Sequence, residues 1–107
     1  MSDLTIKTEI IDGHLTMVRL SGLFEGMAAI ESEPKLMDIL KKVKTPLLWL
    51  DFSGIAYVDS SAIGVLINLT RAAVAQKVQF SLCKPNENVR KVLSMTHVDR
   101  LIPIVEG

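Results

Sequence analysis

The chain has 107 residues, and its 12 Lys or Arg residues balance 12 Asp or Glu residues, so the formal net charge is zero. This length predicts one domain over residues 1–107, and the absence of a basic excess argues against a nucleic-acid binder. A single cysteine, Cys83, excludes an internal disulfide. No secretory leader opens the chain and no apolar run could span a membrane, so we expect a cytoplasmic protein without direct membrane insertion.

The N-terminal part predicts two antiparallel strands and a helix. Residues 4–11 alternate apolar and polar side chains, Asp12-Gly13 is a hairpin turn signal, and residues 14–20 form the second predicted strand. Apolar residues then recur at helical spacing over residues 32–43, with Pro34 near the predicted helix start.

The remaining elements alternate strands and helices. A buried strand is predicted for residues 46–52, a short loop for 53–58, and a helix from 62 to about 77. A strand over 78–83, a helix over 85–95 and a short strand over 101–105, interrupted by Pro103, complete the chain. The order of elements predicts an α/β fold in which helices pack on a mixed β-sheet.

The junction between the third strand and the second helix carries the strongest functional signal. Asp59, Ser60 and Ser61 stand where a helix begins, so each is a candidate N-cap, and the helix N-terminus there favours added negative charge. Gly64 lies in a helical pattern at a cost of ~1 kcal/mol relative to Ala. Close packing of the helix on the sheet is the favoured explanation for Gly64, and access for a partner's backbone is the alternative.

The eight residues 59–66 read Asp-Ser-Ser-Ala-Ile-Gly-Val-Leu, and they resemble the signature of the STAS family. That domain is shared by anti-sigma factor antagonists and the tails of sulfate transporters. In the antagonist branch a hydrophobic strand and a short loop lead to Asp-Ser-[Ser/Thr]-Gly-[Leu/Ile]-Gly-[Val/Leu], and here Ala62 replaces the first Gly. The resemblance implies a STAS-like single domain in which Ser60 accepts a phosphate and is flanked by Asp59 and Ser61.

The resemblance also implies a mechanism. The unmodified form would sequester an anti-sigma factor serine kinase and so free a sigma factor. Phosphorylation of Ser60 by that kinase would end the complex, and a PPM-type phosphatase would restore it. The chain itself would be a binding module with no enzymatic activity and no cofactor. The residues expected to contact the partner are Asp59, Ser60, Ser61, Ala62, Gly64, Glu25 and Phe24.

The segment 20–30 is the second candidate region. Family members usually carry a Gly-acid-Leu-acid pattern here, whereas this chain has Gly22-Leu23-Phe24-Glu25 and keeps only Glu25 as an acid. We expect Leu23 and Phe24 to lie in a loop near the partner-binding face. Either they form an exposed patch that recognises a partner, or one plugs the sheet edge and the other is a singly exposed apolar residue.

Several other functions are disfavoured or left open. His14 and His97 lack ligand-spaced companions, so no metal site is expected, and the flanks of Ser60 do not match a hydrolase nucleophile elbow. Cys83 is expected to be a small core residue. Two alternatives remain: a constitutive subunit of a stress-sensing scaffold or a lipid-transport ABC system, and a nucleotide- or lipid-binding STAS domain. Many family members carry a further C-terminal helix, so an uncovered sheet edge or face could also support a homodimer.

Overall fold

The structure is a computed structural model, and it describes residues 3–106. Along this range the chain forms five strands, three α-helices and a 3-10 turn at Val98–Arg100. The strands and helices are β1 (Leu4–Ile10), β2 (Leu15–Phe24), α1 (Gly26–Lys42), β3 (Leu47–Val58), α2 (Ser60–Gln76), β4 (Gln79–Cys83), α3 (Glu87–Met95) and β5 (Ile104–Val105).

All five strands belong to one mixed sheet in the order β1-β2-β3-β4-β5. The hairpin strands β1 and β2 are antiparallel, and each later neighbour is parallel to the strand before it. Asp12 stabilises the hairpin turn, because its Oδ1 accepts hydrogen bonds from the backbone of His14 at 2.7 Å and of Leu15 at 3.1 Å. The predicted α/β fold with helices on a mixed sheet is confirmed.

The core lies between the sheet and its helices. Alternate residues of the central strand β3, namely Leu48, Leu50 and Phe52, are buried together with residues spaced along α1 and α2. This pattern follows from the period of two in a strand and of 3.6 in a helix. The four residues predicted to form the buried stripe of α2 are all in the core: Ala62, Leu66, Leu69 and Ala73.

The predicted loop over residues 53–58 is wrong, because β3 continues to Val58 and pairs with an equally extended β2. Two register shifts, between Arg19 and Ser21 and between Gly22 and Phe24, each place one extra residue in β3. Glycine is usually unfavourable inside a strand, but at Gly54 it lets the backbones of β3 and β2 come close together. A Cβ there would lie 2.8 Å from the carbonyl oxygen of Leu20. Bulges of this kind bend a strand without ending it.

Helix α1 begins at Gly26, six residues before the predicted start. Pro34 therefore lies inside the helix, where its missing N–H cannot bond the carbonyl of Ile30. Both residues are exposed, so water can hydrate that carbonyl. Pro34 suggested a helix start near residue 32, but a proline inside a helix can be tolerated on the solvent-facing side. β2 extends four residues beyond its predicted end at residue 20, and β5 begins at Ile104, three residues after its predicted start and beyond Pro103. The remaining predicted boundaries lie within two residues of those observed, and α2 starts at Ser60.

Two further findings concern sites that the sequence disfavoured. Within residues 3–106, no helix has the length and apolar character needed to cross a membrane. In the same range no three His, Cys, Asp or Glu side chains are grouped so as to hold a metal ion.

Candidate functional site

The junction between β3 and α2 presents Ser60 at the first position of the helix. Asp59 is the N-cap, and its Oδ1 accepts a hydrogen bond from the backbone N–H of Ala62 at 3.0 Å. The sequence left three residues as candidate caps, and the structure assigns the cap to Asp59. The side chain of Ser60 is exposed, and its hydroxyl has no hydrogen-bond partner in the described part of the chain. The hydroxyl of Ser60 is therefore accessible from solvent, and the helix dipole there favours negative charge.

Asp59 also binds the beginning of α1. Its second oxygen, Oδ2, accepts a hydrogen bond from the backbone N–H of Gly26 at 2.9 Å. Gly26 adopts a positive φ of 53°, a conformation that costs glycine little. The residue before it, Glu25, occupies the N-cap position of α1 and makes no capping bond through its side chain. One carboxylate thus joins the N-termini of both helices and holds them side by side.

A second contact sets the alignment of α1 and α2. The side-chain amide of Asn68 donates a hydrogen bond to Oε1 of Glu33 at 3.0 Å. Together with the Asp59–Gly26 contact, it shows that the two helices run in the same direction, with residue 26 beside 59 and residue 33 beside 68. Ser60, Gly64 and Asn68 are exposed and lie four residues apart, so they form one solvent-facing stripe of α2.

Gly64 has no packing role in this structure. It is exposed, and a Cβ built on it would have no neighbouring atom within 4 Å. The favoured explanation, close packing of the helix on the sheet, is therefore wrong. The missing side chain leaves an open notch in the stripe between Ser60 and Asn68. Glycine lowers the stability of a helix relative to alanine, and no contact within the described chain offsets this loss.

Two residues predicted to contact a partner are buried. Phe24 is 0% exposed and packs edge-on against Phe52, with ring centroids 5.6 Å apart. Ala62 is also 0% exposed, as a member of the core stripe of α2. Neither side chain can form part of a docking surface in this conformation. The plainer interpretation of residues 23 and 24 is confirmed: Phe24 plugs the core and Leu23, at 50% exposure, faces solvent.

Apolar residues beside the stripe were missed from the sequence. Met27 and Ile30 lie in the first turns of α1 and are 65% and 51% exposed. The alignment of the two helices places Ile30 level with Gly64. Their spacing of three residues was the available signal, but the predicted helix began too late to include them. We call the exposed residues Ser60, Gly64, Asn68, Met27 and Ile30 the Ser60 surface.

A buried charge interaction lies elsewhere, around Asp51 in β3. Burial raises the pKa of Asp51, but hydrogen bonds from Ser53 and Arg19 outweigh burial, so the pKa lies below its ordinary value. Arg19 bonds Asp51 at 3.1 Å and Glu9 at 3.0 Å. Burial raises the pKa of the neighbouring Cys83 thiol, which is 1% exposed and suits the predicted core role. These groups stabilise the sheet and are not part of the Ser60 surface.

Comparison with known proteins identifies the family. The model of the STAS domain matches residues 5–106. A protein of Thermotoga maritima, provisionally named an anti-sigma factor antagonist, is 34% identical over 59 residues, which are 55% of this chain and 52% of that protein. The chain spans about half the length of the first two curated relatives that it matches.

Solved structures agree. A crystal structure from Thermotoga maritima, also provisionally named an anti-sigma factor antagonist, has a TM-score of 0.81 at 27% identity, over 95% of this chain and 86% of that one. The anti-sigma factor antagonist SpoIIAA in its unphosphorylated form has a TM-score of 0.76 at 19% identity, over 94% and 87% of the two chains. SpoIIAA of Bacillus has also been solved in the phosphorylated form, with a TM-score of 0.68 at 18% identity, over 94% and 90%. The chain belongs to the STAS domain family.

Proposed function

We propose that this chain is a cytoplasmic anti-sigma factor antagonist whose binding is switched by phosphorylation of Ser60. The observation that carries the proposal is the exposed, unpartnered hydroxyl of Ser60 at the start of α2, within a surface that no other part of the described chain covers. Its partners would be an anti-sigma factor serine kinase and a PPM-type phosphatase. The chain would act as a binding module without a cofactor.

The position of Ser60 suits a reversible phosphate. The hydroxyl is accessible to a kinase, and Asp59 already supplies the cap, so modification would remove no hydrogen bond that holds the helix. A phosphate adds about −1.5 to −2 charges, which the N-terminus of a helix tolerates well. The fold should therefore survive phosphorylation, and the effect should fall on binding.

The charge of Asp59 would make the phosphate costly in a complex. Both oxygens of Asp59 are engaged by backbone N–H groups, so the carboxylate cannot turn away from a neighbouring phosphate. At ~6 Å, two unit charges repel by ~0.7 kcal/mol in water and by ~3 kcal/mol at an effective dielectric of ~20, so burial in a complex would add ~2 kcal/mol to the repulsion already present in the free chain. Docking would also remove the phosphate from water. An added repulsion of ~2 kcal/mol per charge corresponds to roughly a thirtyfold loss of affinity.

The Ser60 surface suits a partner protein. Met27 and Ile30 provide apolar contact area beside the serine, and Gly64 leaves room for a close approach. Interfaces commonly combine a few buried apolar anchors with a polar surround. The two alternatives are a constitutive scaffold subunit and a nucleotide- or lipid-binding domain. Neither function requires an exposed serine hydroxyl at the centre of such a surface.

Phosphorylation can be tested directly with the kinase-type anti-sigma factor and ATP. Peptide mass mapping should find one phosphate, on Ser60, in the wild type and in the matched control Ser61→Ala, and none in Ser60→Ala. Phosphate on Ser61 would reject the assignment of the residue. No phosphate on any of the three proteins would favour a constitutive subunit.

Binding can be measured by calorimetry at near-physiological salt. Ser60→Asp should weaken the complex tenfold or more, because docking takes the new charge out of water and strengthens its repulsion from Asp59, whereas Ser60→Ala should bind like the wild type. Thermal melting should show equal or slightly higher stability for Ser60→Asp, since the helix N-terminus accepts an acid. Equal affinity of Ser60→Asp and the wild type would contradict the switch.

A further inference from the structure

The outer edge of β1 is available for pairing. β1 stands first in the strand order, and no other strand within residues 3–106 pairs with its outer side. The backbone N–H of Ile11 points inward and donates to the carbonyl of Leu15 at 2.9 Å. Because backbone groups alternate between the two sides of an antiparallel strand, those of Ile6, Thr8 and Ile10 point outward.

The side chains of β1 are self-complementary about Thr8. Ile6 and Ile10 lie two residues to either side on the helix-covered face, and Ile10 is 72% exposed. Lys7 and Glu9 flank Thr8 on the opposite face. Lys7 stands directly across from Arg19 and has no acidic partner in the described chain. Like charges opposed across strands are destabilising, so Lys7 would gain from an acid on its outer side.

We propose that β1 pairs antiparallel with β1 of a second copy of this chain, about a two-fold axis at Thr8. In that register Lys7 lies across from Glu9 of the second copy, and Ile6 lies across from its Ile10. The outward backbone groups of Ile6, Thr8 and Ile10 are the ones that such a pairing requires. A two-fold axis at Lys7 or at Glu9 would instead place that charge against itself, so charge selects the register centred on Thr8.

The space beside β1 supports the same occupant. An open groove of about 420 Å³ lies between β1 and the C-terminal part of α1, and its lining includes Thr8, Ile10, Ile39 and Val43. The groove is open to solvent, and a second strand beside β1 would bring its own Ile6 and Ile10 next to it. This end of α1 is remote from the turn at Gly26 that adjoins Ser60. Both Ser60 surfaces of the dimer would therefore stay exposed.

Sedimentation analysis from micromolar to millimolar protein tests the pairing. The wild type should shift with concentration toward twice the 11.8 kDa mass of one chain. Thr8→Pro should stay monomeric, because it removes an outward N–H at the axis, and it should remain folded by circular dichroism, because proline is tolerated where the edge faces solvent. A wild type that is monomeric throughout this range would overturn the proposal.

A charge exchange tests the register without relying on proline. Lys7→Glu and Glu9→Lys should each weaken dimerisation about tenfold or more, since the two-fold axis repeats every like-charge contact. The double variant should recover most of the wild-type affinity, and Lys91→Glu on the exposed side of α3 should change nothing. A dimer that the single variants and Thr8→Pro leave intact must use another surface, which would equally overturn the proposal.

Discussion

Asp59 should be the most stability-sensitive residue of the Ser60 region, because one side chain serves two helices. Asp59→Ala removes the cap on the Ala62 N–H and the bond to the Gly26 N–H. Loss of an N-cap costs ~1 kcal/mol, and a hydrogen bond to a charged acceptor contributes about 1.5–3 kcal/mol. We expect the free energy of unfolding to fall by about 2–4 kcal/mol in Asp59→Ala. Asp59→Asn keeps one acceptor oxygen, so its loss should be about half as large.

Urea titration measures these losses in the free energy of unfolding. In thermal melting, each kcal/mol lost should lower the melting temperature by roughly 4–8 °C in a chain of this size. Hydrogen exchange separates the two contacts, since the first turn of α1 should exchange faster in Asp59→Ala, although its sequence is unchanged. Ser60→Ala is the matched control and should stay within ~0.5 kcal/mol of the wild type. The reasoning fails if Asp59→Ala also stays within that range, or if α1 keeps its protection.

Three further predictions concern Gly64, Met27 and Asp51. Gly64→Ala should raise the free energy of unfolding by about 0.5–1 kcal/mol in urea titrations yet weaken partner binding in calorimetry; unchanged binding would show that the notch is not used. Met27→Lys should weaken the same complex without lowering stability, whereas Met95→Lys, at an even more exposed position on α3, should bind normally. Equal effects of the two substitutions would show that Met27 is not part of the interface. Because the folded-state pKa of Asp51 is lowered, its stabilisation is present above the unfolded pKa of about 4 and is lost as pH falls through the lower folded value. Urea titrations between neutral pH and pH ~2 should therefore show a smaller acid loss in Asp51→Asn than in the wild type, and parallel pH profiles would contradict this account.

The features that depended on neighbours in sequence were predictable. The Asp-Ser-Ser junction, the buried stripe of α2 and the hairpin at Asp12 each rest on contacts within a few residues. The order of strands and helices followed from the same local periodicity. These parts of the sequence therefore predicted the mixed α/β fold and the position of Ser60 at a helix start, while the family itself was implied by the resemblance of residues 59–66 to its signature.

The features that the sequence did not predict depend on distant contacts. The start of α1 is stabilised by a carboxylate 33 residues away, and Pro34 suggested a later start. That error hid Met27 and Ile30 and left Phe24 in a supposed loop, although it packs against Phe52. Nothing local to Gly64 could distinguish a packed glycine from an open one, because the difference lies in whether another element covers α2.

Because β3 pairs with β2 through two bulges up to Val58, the position of Ser60 depends on the exact number of residues in this part of the strand. A loop between β3 and α2 would tolerate an insertion or a deletion with little effect on its ends. Residues 53–58 instead pair with β2 to within one residue of Asp59. One residue more or fewer would turn each following side chain of the strand to the opposite face, taking Val58 out of the core and the carboxylate of Asp59 away from Gly26. Length variation among close relatives of this chain should therefore be absent from this segment and concentrated in the turn at Asp12-Gly13.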